Sequence, residues 1–257
     1  MIYTPHFMYD VARGKYPQIR SVSKFGHNLD VDTGTVPETV WSQGGLWVPP
    51  TAARIHNVVS SDAADDAAGT GAQTVKVQGL DASWAEQNET LDMDGTTIVP
   101  TVNEYRRIFR IQVVTAGSGQ TNAGLITATA VTDGTITAAV PIALGSTFMA
   151  VWTVPAQRTC ALMSIWASIN RQTVAASAMA EFDLRIMSGL DTDTPAALVS
   201  QQIGLAVDGV GAVNWPFTLP KCIEGPADIE IRARFVSDNN TVVNAGFDAI
   251  YERTLGS

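Results

Sequence analysis

The sequence predicts an all-β chain with an extended N-terminal arm, and three observations predict it. From Thr51 onward, short runs of β-branched and aromatic residues are separated by Gly, Asn and Asp turn signals. No long segment repeats apolar residues at helical spacing. Residues 1–50 differ from the rest: aromatics and prolines punctuate them, with neither a helix period nor a strand period.

The arm holds Tyr9, Tyr16, Phe25, Trp41 and Trp47 among Pro5, Pro17, Pro37, Pro49 and Pro50. Disordered segments are poor in aromatics. This one is therefore expected to be ordered, either extended in a groove of a neighbour or packed on its own body. The assembly-arm reading assigns contacts to Tyr9, Arg13, Lys15, Tyr16, Arg20, Lys24, Phe25, Trp41 and Trp47. Beyond it, residues 54–60 read as a first strand, followed by an Asp/Ala/Gly loop ending in Gly69-Thr70-Gly71. Residues 73–78 alternate and 85–93 form another strand, with Asp94-Gly95 as a tight turn of the hairpin sort. Residues 97–99, 105–114 and 125–130 complete an Ig-like antiparallel β-sandwich over 51–132.

A second unit, over 133–257, places strands at 148–154, 159–169, 180–187, 228–235 and 242–251, and is expected to be a jelly-roll-like β-sandwich. In 180–187, Phe182, Leu184 and Ile186 share one face, while Glu181, Asp183 and Arg185 share the other. Such a strand covers a core on one side and meets water or a subunit on the other. Helix candidates are short, residues 195–201 among them.

Composition narrows the function classes. The chain has 257 residues, enough for two β-units plus a tail and for a core without metals or disulfides. Hydrophobic residues make up 46% and charged residues 16%, with mean hydropathy +0.10, so some apolar surface is expected to be buried between subunits. No apolar run approaches the roughly 18 residues of a membrane span, and no leader peptide is recognisable. The expectation is a soluble chain with no membrane partner. Net charge is −9, which disfavours general nucleic-acid binding. Residues 1–29 hold four cations against Asp10, a local +3 that leaves −12 for the remainder. A basic arm on an acidic body fits an acidic neighbour or a sister subunit.

Candidate chemistry is thin. His6, His27 and His56 lie in or just after the arm, away from the expected cores, and no zinc, phosphate-loop or dinucleotide motif accompanies them. Asp62, Asp65 and Asp66, then Asp92 and Asp94, then Asp191 and Asp193, offer clustered oxygens for Ca²⁺. They lack EF-hand spacing and are read as solvated turns. Cys160 and Cys222 read as two buried free thiols. Trp84 and Trp215, in turn-rich or Pro-flanked settings, are the candidate ligand or subunit-contact aromatics. No catalytic residue, metal or cofactor is expected.

The run from Val22 through His27 and Asp32 to Gly34, then Glu38-Thr39-Val40-Trp41 and Gly44-Gly45, resembles the arm of a family of structural proteins of tailed bacteriophages. The following blocks are similar to theirs as well: Val77-Gln78-Gly79-Leu80-Asp81, Asp94-Gly95, residues 107–110, and Asn122-Ala123-Gly124. So are Val151-Trp152-Thr153-Val154-Pro155, Asp228-Ile229-Glu230-Ile231-Arg232 and Ala245-Gly246-Phe247-Asp248. The resemblance implies a non-enzymatic virion component: capsid decoration, head fibre, or part of the tail. The expectation is a decoration or cement protein that attaches by its arm to other virion proteins and self-assembles, as a trimer by analogy with jelly rolls. A tail or baseplate component touching host glycans is the alternative.

Overall fold

Alternation of apolar and polar residues does produce strands along this chain, but it also draws the N-terminal segment into the body. The computed structural model describes residues 7–31, 36–171, 178–192, 194–207, 210–235 and 241–254. A short helix α1 (Phe7–Ala12) precedes β1 (Ile19–Val31) and β2 (Glu38–Thr39). Next come β3 (His56–Ser60), β4 (Ala72–Leu80), β5 (Glu86–Asp92), β6 (Val99–Pro100), β7 (Arg107–Ala116), β8 (Ile126–Ala130) and β9 (Ile136–Val140). The chain continues with β10 (Val151–Val154), β11 (Arg158–Arg171), β12 (Ala178–Ser188) and β13 (Ala196–Val207). It closes with β14 (Val210–Glu224), β15 (Ala227–Phe235) and β16 (Thr241–Arg253).

All strand pairings between these elements are antiparallel. In the first unit, sheets β6-β3-β8-β9 and β5-β4-β7 share one core. Period two explains it: Val58 on β3, Val75 and Val77 on β4, and Ile126 and Ala128 on β8 point to the same buried cluster. In the second unit, sheets β1-β16-β11-β14 and β10-β15-β12-β13 share a larger core. That core contains Trp152, Leu162, Ile165, Phe182, Leu184, Ile229, Phe235 and Phe247.

Five expectations are corrected. First, described residues of the 1–50 segment do not extend away from the chain. β1 pairs with β16 from Ile19↔Glu252 to Val31↔Thr241, and β2 pairs with β15. The strand was hidden because its inward positions are Lys24, Gly26 and Asn28, all buried, so no apolar alternation betrays it. Gly26 is needed there: a Cβ would sit 2.0 Å from the Val40 carbonyl and 2.5 Å from the Ala150 nitrogen. Second, the boundary at 132/133 falls inside the first unit. β9 pairs with β8, and Ser146 still bridges Gln112 of β7. Third, residues 196–201 belong to β13, which pairs along β12. The open edge of β12 outweighs the modest helix preference of Ala, Leu and Gln there. Fourth, Cys222 is exposed, while Cys160 is buried and its thiol is pushed up to about 12 by that burial. Fifth, Asp94-Gly95 is a turn with Gly95 at φ +57°, but it links β5 to β6 in a different sheet rather than closing a hairpin.

Candidate functional site

The cations and aromatics assigned to an arm are mostly consumed within the chain. Lys15 pairs with Asp10 at 2.8 Å, and Arg13 lies over the Tyr9 ring. Tyr16 stacks at a tilt on Phe7, in a small cluster where α1 covers Ile19 and Ile250. Trp41 donates to the carbonyls of Gly44 and Gly45 and packs with Trp47, Met149 and Val151. The Trp47 indole donates to the Thr137 carbonyl of the first unit. Phe25, partly exposed, meets Phe148 edge-on and Trp166 at a tilt. His27 bonds Asn244 across the β1–β16 ladder. His6 and Asp193 lie outside the described residues.

Trp84 is buried at 5% exposure between the units, beneath the guanidinium groups of Arg106 and Arg107. It therefore has no face for a ligand. Trp215, on β14, is 46% exposed. The Asp62, Asp65 and Asp66 group serves the backbone. Asp62 and Asp66 accept amides two residues on, from Ala64 and Ala68. Asp65 is buried rather than solvated. Burial pushes its carboxyl up, but bonds from Ser60 Oγ and the amides of Ala123, Gly124 and Ala72 outweigh it, so the acid lies below its ordinary range. Among the described residues no cluster of His, Cys, Asp and Glu is arranged to hold a metal.

The most buried ion pair at the junction between the units joins Arg107 to Asp228. Arg107 grips Asp228 with two bonds of 3.1 and 3.0 Å, and Thr153 Oγ1 donates to the same carboxylate. Both side chains are under a tenth exposed, and the guanidinium is flanked by the rings of Trp47 and Trp84. Sequence gave no signal for the pair, because its members lie 121 residues apart.

Beside this junction runs a groove made of two adjoining cavities of about 390 and 570 Å³, which share Arg20, Glu86 and Asn88. One wall is β1 with the ends of β11 and β16; the other is β5 with parts of β4 and β7. Lys24 forms part of its floor. Its amine donates to the Phe109 carbonyl at 2.5 Å. Phe109 is skipped in the β4–β7 register at a bulge, so the lysine occupies the carbonyl that the ladder leaves open. Burial first, and neighbouring Arg110 second, hold the Lys24 amine well below 10.5. Arg110 reaches the Ser23 carbonyl. Arg20 pairs with Glu86 at 2.8 Å, and the Tyr251 hydroxyl donates to the other oxygen of that carboxylate.

At the far end of the groove, Arg158 and Arg253 face each other across the β11–β16 ladder. Among the described residues no carboxylate lies within ion-pair reach of either guanidinium. Of the arm cations, the structure thus brings only Arg20 and Lys24 to this site. Arg110, Arg158, Arg253 and Glu86 were missed, since only strand register makes them neighbours.

No family model and no curated protein matches the chain. Among solved structures, the chain is similar to the infectious bursal disease virus Gx strain, at 9% identity over 93% of this chain and 77% of that one, with a TM-score of 0.23. It is also similar to T=1 particles derived from infectious bursal virus, at 12% identity over 92% and 74%, with a TM-score of 0.19. Likeness at these values carries no argument about fold or function.

Proposed function

We propose that the chain is a non-enzymatic structural component of a tailed-bacteriophage virion, a decoration or cement protein seated on the head. The observation that carries this reading is the order of the resembling blocks, from Val22 to Asp248, through most of the sequence. The fold supports it in another way. Paired sheets around shared cores, read as an Ig-like and a jelly-roll-like sandwich, form a stiff display body. Its buried polar groups, Asp65 and the Arg107–Asp228 pair among them, are spent on holding that body together.

Attachment then belongs to the folded surface rather than to a free arm, because β1 and β2 are woven into the sheets. Exposed apolar side chains gather on β13 and β14, which end their respective sheets: Leu198 and Val199 on the first, Trp215 and Leu219 on the second. This corner is the surface we assign to a homotrimer contact. Pro216 and Pro220 on β14 blunt open-ended strand addition there. Exposed Trp215 also favours the second reading, a tail or baseplate part whose aromatic stacks on host glycans.

Copy number on purified particles separates the two. Quantitative mass spectrometry and immunogold labelling are expected to find hundreds of copies over the shell. A handful at one vertex would assign the chain to the tail, and absence from the particle would overturn the virion reading.

A further inference from the structure

We infer that the groove between the units binds an acidic, extended peptide segment of a partner protein. The inference goes beyond the virion reading and stands independently of it.

Charge is the first argument. The whole chain carries −9, yet four guanidinium groups, those of Arg20, Arg110, Arg158 and Arg253, line the groove against the single acid Glu86. Glu86 is already held by Arg20 and Tyr251. Arg158 and Arg253 are direct cross-strand partners. Like charges in that relation cost stability unless something offsets them. A carboxylate placed between two such guanidinium groups is the offset their geometry lacks.

Backbone geometry is the second. Among the described residues β1 ends its sheet, pairing only with β16. The Ser23 carbonyl points away from β16, toward Arg110. By the two-residue alternation of an antiparallel ladder, the amide and carbonyl of Ser21 face the groove as well. An extended peptide laid along β1 therefore meets main-chain partners at Ser21 and guanidinium groups beyond it, the combination of edge addition and charge recognition.

The same surroundings disfavour an acidic sugar. Trp152 and Tyr251 line the groove but are 2% and 7% exposed, and the half-buried Phe109 ring has the Lys24 amine over it and packs against two core clusters, so none of the three offers an open stacking face. A different partner is assigned as the source, because the surface given to contact between copies lies on β13 and β14, which contribute no residue to this groove.

The test uses the full chain and fluorescein-labelled (Glu-Ser)₄, with (Gln-Ser)₄, heparin tetrasaccharide and inorganic phosphate as the other arms. Fluorescence anisotropy is expected to show binding of (Glu-Ser)₄ but not (Gln-Ser)₄. The double variant Arg158→Ser, Arg253→Ser is expected to weaken it by about tenfold or more while Tm holds or rises, since the removed charges repelled each other. Ser21→Pro deletes the edge amide without touching the β16 ladder, and is expected to weaken binding with all four guanidinium groups in place. Equal binding by the arginine variant overturns the site. Heparin or phosphate binding with a silent peptide overturns the peptide assignment. A fall in Tm together with lost binding makes the arginines structural. Arginine-dependent self-association in sedimentation velocity assigns the acid to a second copy and overturns the partner.

Discussion

At the scale of single residues, buried titratable groups make the stability of this body depend on pH in opposite parts of the scale. His56 lies fully inside the first unit, with Nδ1 on the Arg54 carbonyl and its ring edge-on to Tyr105. Burial lowers it from 6.5 to about 4. Between these values the unfolded chain binds the proton and the folded chain does not, so stability falls as pH drops through 6.5 and levels off below about 4. From neutral to about pH 5 this amounts to roughly 2 kcal/mol. His56→Asn keeps a donor near the Arg54 carbonyl and removes the titration. Urea denaturation across that range is expected to show a correspondingly flatter loss for the variant. Lys24 acts at the other end. Its amine is lowered well below 10.5, so the unfolded chain again holds the extra proton, and stability rises with pH up to about 10.5. Within that window the linkage contributes up to about 1.4 kcal/mol per pH unit. Thermal unfolding of Lys24→Met is expected to lack that share of the slope; an unchanged slope would mean the amine stays charged when folded.

At the scale of elements, β1 decides what the N-terminal segment is. A free arm predicts that removal of residues 1–29 leaves a folded body. The ladder predicts the reverse, because truncation strips the edge of β16 and exposes the core beside Trp152 and Phe247. It also leaves the Phe109 carbonyl without its Lys24 donor. Loss of buried apolar contact and of a buried bond together are expected to cost several kcal/mol, on the order of 5 or more. Circular dichroism and proteolysis of the truncated chain check this: a native-like melt would return the segment to the status of an arm. Most other strands were legible because Val75 and Val77, or Phe182 and Leu184, alternate cleanly with polar residues. β1 was not, since burial of Lys24 and Asn28 depends on partners far along the chain. β9 was missed because Ala138 and Ala139 are both buried, which erases alternation. In β14, residues 217–220 are looped out opposite Met163, between Pro216 and Lys221, so its period breaks midway. The groove was illegible for the same reason as the junction: Arg158 and Arg253 become neighbours only through the register of β11 on β16.

At the scale of the whole molecule, the question is whether two cores unfold as one. The first-unit core and the second-unit core are separate clusters, joined by a small cluster of Leu80, Trp84 and Leu190 and by the Arg107–Asp228 pair. Shared burial of Trp84 and Phe109 couples them, and the Arg107–Asp228 pair is the most buried of the directional contacts, which also include Arg20–Glu86 and the Lys24–Phe109 bond. Removing one member strands a charge in a site under a tenth exposed, which costs about 3–5 kcal/mol. Removing both leaves no stranded charge, so the double change costs less than the sum of the singles. The expected outcome is therefore specific. Wild type melts in one transition, Arg107→Met shows two because the junction fails before either core does, and Arg107→Met with Asp228→Leu moves back toward one. Calorimetry with urea denaturation distinguishes these, and additive single-transition losses would show that the pair is a local contact rather than the coupling between units. The groove supplies a second readout of the same event. Gln78 and Glu86 stand on the first unit, Arg158 and Arg253 on the second, so a junction that opens also separates the walls. Arg107→Met is then expected to weaken (Glu-Ser)₄ binding although Arg107 lines neither cavity, and the double variant is expected to recover it in step with the single transition.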